Sequence, residues 1–106
     1  LPWMALGAVG LVGVTTHVLP EAFRALIDAI VAGDLATARN LHRQLHPVVT
    51  ATMTRVPGAV AAKTILAWQG RLASAAVRLP PVGPTEEEAA RMRADLADSP
   101  AADTLR

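Results

Sequence analysis

The chain has 106 residues, of which 52 % are hydrophobic, 3 % aromatic and 18 % charged, with a formal net charge of +1. That length allows one small domain, and so much apolar material excludes a disordered chain. With no cysteine, disulfide frameworks, thiolate metal sites and cysteine nucleophiles are excluded together.

The opening stretch from Leu1 to Pro20 carries no Lys, Arg, Asp or Glu, so a membrane span or a signal sequence has to be weighed first. Pro2, three glycines, the Thr15-Thr16-His17 run and the lack of flanking basic residues speak against both. Gly7, Gly10 and Gly13 are spaced G-x-x-G-x-x-G, which is not the dinucleotide-binding pattern. The run Ala8 to Val14 is short, apolar and partly β-branched, and it predicts a strand buried on both faces, as in a parallel sheet. A first residue of Leu suggests a processed product or a piece of something longer.

Helices follow. Pro20 and Glu21 suit a first helical turn, and Phe23, Leu26, Ile27, Ile30 and Val31 recur at three and four to give one apolar face. Gly33 predicts a left-handed C-terminal cap, and Asp34 an N-cap that starts the next helix at once, so the two should form a tight hairpin. In that next helix Leu35, Ala38, Leu41, Leu45, Val49 and Met53 keep the helical period, while Pro47 removes one donor and predicts a kink near Arg43. Pro57-Gly58 ends the stretch. Ala59 to Trp68 reads as a third helix, with Val60, Thr64, Ile65 and Trp68 inward and Gly70 near its end. The prolines of Leu79 to Pro84 force extended backbone. Thr85 and Glu88 form a capping box, and Ala89, Met92 and Leu96 give the last helix a narrow stripe. Beyond Ser99-Pro100 a frayed tail is expected. One buried strand before four helices is incomplete by itself, because a strand's backbone groups need neighbours on both sides.

Charge is unevenly spread. Only Glu21, Asp28 and Asp34 are acidic before position 86, against seven basic residues from Arg24 to Arg78, whereas the tail carries Glu86, Glu87, Glu88, Asp95, Asp98 and Asp103. There is no dense basic patch with aromatic partners, so these charges read as a solvated face and not as a nucleic-acid footprint. His42 and His46 have metal-ligand spacing on one helix, but the glutamate of H-E-x-x-H and a third ligand are missing. Ser74 lacks an acid or base partner for a hydrolase triad. Phe23 and Trp68 read as packing anchors. Thr15, Thr16 and His17 follow the predicted strand. The threonine hydroxyls would serve the loop's own backbone, or the three residues would have a supporting role beside a substrate.

The order of these segments resembles the C-terminal portion of the dihydrodipicolinate synthase family, pyruvate-dependent class I aldolases that include N-acetylneuraminate lyase. Gly7-Ala8-Val9-Gly10-Leu11-Val12-Gly13-Val14 resembles the family's G-A-x-G-V-I-S-V strand, with Gly13 where serine is usual and His17 where asparagine is frequent. Ala38-Arg39 and Leu45-His46-Pro47 resemble A-R-x-x-x-x-x-L-x-P, and Val60-Ala61-Ala62-Lys63 resembles the P-V-K-x-A-L segment. Arg78-Leu79-Pro80 with Thr85-Glu86-Glu87 resembles the R-L-P-L-x-P-x-x-x-E ending. The resemblance implies an α/β fold, the C-terminal fragment of a (β/α)8 barrel. Residues 1-33 would be the last barrel strand and its helix, 34-98 a C-terminal helical extension and 99-106 a frayed tail.

It also implies a parent lyase that condenses pyruvate with L-aspartate semialdehyde, through a lysine Schiff base, in the diaminopimelate route to lysine. That parent would be a cytoplasmic homotetramer with no cofactor, no metal and neither nucleic-acid nor membrane partners. The family's Schiff-base lysine, its proton-relaying tyrosine and its G-T-T-G-E phrase have no counterpart here. Lys63, the only lysine, falls on a helix expected outside the barrel and does not take that role. The fragment alone is expected to be inactive, with no catalytic residue and with Thr15 and Thr16 as supporting residues near the substrate. A sialate or keto-deoxy sugar acid lyase of the same family is the nearest alternative. A small helical interaction or membrane-associated module is the alternative of a different class.

Overall fold

The computed structural model describes residues 1-99. The elements are a short helix α1 (Pro2–Ala5), a 3₁₀ turn (Thr15–His17), and helices α2 (Pro20–Val31), α3 (Leu35–Met53), α4 (Gly58–Trp68) and α5 (Glu86–Ala97). The helix boundaries follow from local chemistry. Pro20 and Glu21 open α2, and its end is a Schellman motif, with Gly33 at φ +75 and bonds from Gly33 N to Ile30 O and Asp34 N to Ala29 O. Asp34 then accepts the Thr37 N–H at 3.0 Å and starts α3. Helix α4 closes in the same way, with Gly70 at φ +70 and bonds from Gly70 N to Ala67 O and Arg71 N to Leu66 O. At the start of α5 the Thr85 hydroxyl accepts the Glu88 N–H while the Glu88 carboxylate accepts the Thr85 N–H.

The core lies around α3. Val18, Leu26, Ala38, Leu45, Val48, Ala51, Ile65, Met92 and Leu96 are all buried in one cluster, and α2, α4 and α5 each pack on α3. The single stripe predicted for α3 is only partly the buried one. Ala38 and Leu45 are buried, but Leu35, Val49 and Met53 are exposed, and Val48, Ala51 and Thr52 take their place. The reason is that α3 meets neighbours on more than one side, so its buried face shifts along its length. The helix runs unbroken through Pro47, whose missing N–H leaves the Arg43 carbonyl without its usual helical donor.

The strand predicted over Ala8–Val14 is not formed, and no described residue is in a strand. Residues 9–13 donate no backbone hydrogen bond to any described residue, and Val9 and Val12 are fully exposed. The cause is the one already inherent in the sequence: a strand needs flanking strands for its N–H and C=O groups, and among the described residues there is no strand to pair with. Burying each of those valines would contribute about 1.5–3 kcal/mol, which this arrangement leaves unrealised. Among the described residues no helix is long and apolar enough to cross a membrane. Ser99, at the start of the expected frayed tail, is buried and its hydroxyl donates to the Gln44 carbonyl at 3.0 Å. The rest of that tail, 100–106, lies outside the described residues.

Candidate functional site

The 3₁₀ turn at Thr15–His17 joins the extended N-terminal segment to α2, and several elements converge on it. Thr15 points inward and is buried, with its hydroxyl 2.7 Å from that of Thr52 on α3. Thr52 carries one hydroxyl proton and lies 2.8 Å from the Val48 carbonyl and 3.2 Å from that of Val49. That proton therefore stays on the helix, and the Thr15 hydroxyl is the donor to Thr52. The Thr16 hydroxyl donates to the Gly13 carbonyl, capping the turn from within.

The end of α4 supplies two more ties. Gln69 Nε2 donates to the Val18 carbonyl at 3.4 Å, and an Arg71 guanidinium nitrogen donates to the His17 carbonyl at 3.2 Å. At the opposite end of α4, Gly58 lies so close to Val14 that an added Cβ would stand 3.3 Å from both of its methyl carbons. The His17 side chain is exposed and shares a shallow cleft with Val14, Ala62 and Lys63. Thr15, Thr16 and His17 are thus held by different means: Thr15 is a buried anchor, Thr16 is half-buried with its hydroxyl turned back to Gly13, and the His17 side chain is exposed. Thr52, Gln69 and Arg71 escaped sequence reasoning. Each is an ordinary helix or loop residue by pattern, and only the packing of α3 and α4 on the turn brings it there.

The remaining candidates lie elsewhere. Lys63 sits on α4 and its ammonium donates to the Ala76 carbonyl, which ties the helix to the segment that follows it. His42 and His46 are both exposed on α3 and line the rim of an apolar groove of about 220 Å³ between the N-terminal segment and helices α2 and α3. The described residues contain no group of three His, Cys, Asp or Glu able to hold a metal ion. Phe23 packs on the core from α2. Trp68 does so from α4, and the Arg93 guanidinium of α5 lies 4.2 Å over its ring. The Ser74 hydroxyl accepts the Ala76 N–H, a local turn contact.

The described residues thus form a set of helices packed on α3 around an anchored turn, with an exposed apolar segment before it. The sequence model of the dihydrodipicolinate synthetase family matches residues 1–99, and the chain belongs to that family. The 4-hydroxy-tetrahydrodipicolinate synthase of Kineococcus radiotolerans is 46 % identical over 97 residues, covering 92 % of this chain and 32 % of that protein. Streptomyces coelicolor 4-hydroxy-tetrahydrodipicolinate synthase 2 is 45 % identical, with the same coverage. The Acidothermus cellulolyticus synthase is 46 % identical over 92 % of this chain and 31 % of its own length. The chain spans about a third of the length of these curated relatives and corresponds to their C-terminal portion.

Proposed function

We propose that this chain serves as the C-terminal part of a 4-hydroxy-tetrahydrodipicolinate synthase, a lyase condensing pyruvate with L-aspartate semialdehyde through a lysine Schiff base. The observation that supports this is the name shared by relatives 45–46 % identical over nine-tenths of the chain. In this reading residues 8–14 complete a (β/α)8 barrel as its last strand, residues 20–33 form its last helix, and α3 to α5 are the helical extension. The parent is a cytoplasmic homotetramer working without metal or organic cofactor, in the diaminopimelate route to lysine.

The division of labour follows from chemistry. Imine formation needs an amine held deprotonated in a desolvated pocket beside a proton relay. Lys63 instead donates to the Ala76 carbonyl in the segment after α4, and the chain has no tyrosine. This part therefore shapes the mouth of the site while the reacting lysine comes from the rest of the barrel. Barrel sites lie at the C-terminal ends of the strands, which puts Thr15 and Thr16 beside the substrate as supporting residues.

A chimera tests the reading: the matching 97 residues of the Kineococcus radiotolerans synthase are replaced by those of this chain. The chimera should fold and convert pyruvate and aspartate semialdehyde, and a folded chimera without this activity would sink the proposal. Treated alone with pyruvate and borohydride, this chain should gain no adduct, and a single adduct on Lys63 would overturn the assignment of the lysine.

A further inference from the structure

Resting on that reading, we propose that Thr52, 37 residues from Thr15 in sequence and on a different element, is a positioning residue for the reaction. Through the Thr15 hydroxyl it fixes the orientation of the turn that presents Thr16 and His17 to the site.

Thr52 is fully buried, and its hydroxyl is not needed to complete α3, because the Val48 carbonyl is already an acceptor for the helix's own N–H groups. Valine would fill the same space, without a polar atom to satisfy. What the hydroxyl adds is an acceptor that faces the turn. With its own proton committed to Val48 O at 2.8 Å, it can receive one from Thr15 at 2.7 Å and from nothing else at that distance. The bond is dry, since Thr15 and Thr52 are both buried, so water does not compete for it. The two other ties, from Gln69 and Arg71, are longer and grip backbone carbonyls at 3.4 and 3.2 Å. Of the bonds that tie the turn to α3 and α4, only Thr15–Thr52 holds a side chain of the turn itself, and with it the direction in which the next two residues project; the Thr16–Gly13 bond is local to the turn. Small errors of placement at a reacting centre cost rate more than affinity.

The chimera described above is the test system, and its unsubstituted form gives the baseline. Thr52→Val should lower kcat about tenfold and leave KM for pyruvate within about twofold, with a lower thermal midpoint because the buried Thr15 hydroxyl loses its partner, while Thr52→Ser should restore most of kcat. Thr15→Val removes the donor and leaves the Thr52–Val48 bond intact, so it should show the same kcat loss and decides the matter if Thr52→Val does not fold. Variants that keep baseline kcat, or a Thr52→Ser no better than Thr52→Val, would overturn the inference. A folded but inactive baseline would instead overturn the synthase reading and this inference with it.

Discussion

Thr85 and Glu88 satisfy one another's backbone within four residues, which makes the start of α5 the most self-contained device in the molecule. Removing the hydroxyl with Thr85→Ala should cost about 1 kcal/mol of helix stability, visible as faster amide exchange at Glu88 with α3 unaffected. The Glu88 carboxylate is held below its ordinary 4.5, first by the Thr85 backbone N–H, and Asp34 below its ordinary 3.8, first by that of Thr37. The folded chain therefore holds these protons less tightly than the unfolded one. Both carboxylates add stability at neutral pH, fully present above the ordinary values and lost as pH falls through the lowered ones. Helical ellipticity followed from pH 7 downward should begin to fall only in the region of pH 4.5 and below, and Glu88→Gln should flatten the α5 share of that acid limb. A curve that falls already between pH 7 and 6 would contradict this account.

Between elements, the bonds are of another kind. Arg55, just past the end of α3, makes a two-pronged pair with Asp95 on α5 at 2.7 and 3.0 Å. Such geometry fixes orientation as well as adding energy. Asp95→Asn should weaken the docking of α5, measured as a lower urea midpoint in the chimera, with Arg55→Lys losing nearly as much because a point charge cannot replace the fork. The difference between these bonds and the caps explains what could be read in advance. Gly33, Asp34, Gly70, Thr85 and Glu88 act on their own neighbours, so spacing alone reveals them. Arg55–Asp95, Ser99–Gln44 and Thr15–Thr52 join residues 37 to 55 positions apart, and nothing in either local pattern names the partner. The shift of the buried face on α3 was hidden for the same reason, since a period reports that a helix has a face and not how many neighbours it meets.

At the scale of the whole molecule, residues 8–13 separate what is written in a segment from what requires company. The sequence of this run predicts a buried strand, yet Val9, Leu11 and Val12 stand open to solvent, because ladder bonds are a property of a sheet and not of one segment. An exposed extended apolar segment of this kind invites association. This chain alone should bind a hydrophobic dye and grow in apparent mass with concentration, and both effects should vanish in the chimera if the proposed barrel gives the segment flanking strands. A dye-silent monomer would count against the barrel placement. In the turn, Thr15 and Thr16 could be singled out from the sequence, because they simply follow the predicted strand. Their anchor could not, since it depends on where α3 lies against the turn.

The ending of α4 reaches further than its own last turn. Gln69 and Arg71 flank Gly70, and both send their side chains back to the carbonyls of residues 17 and 18. Fraying of that helix end and loosening of the turn should therefore be one opening event and not two. In amide exchange, Val18 and Leu19, whose N–H groups are held by Thr15 O, should share a single opening free energy with Gly70 and Arg71, although some fifty residues of chain lie between them.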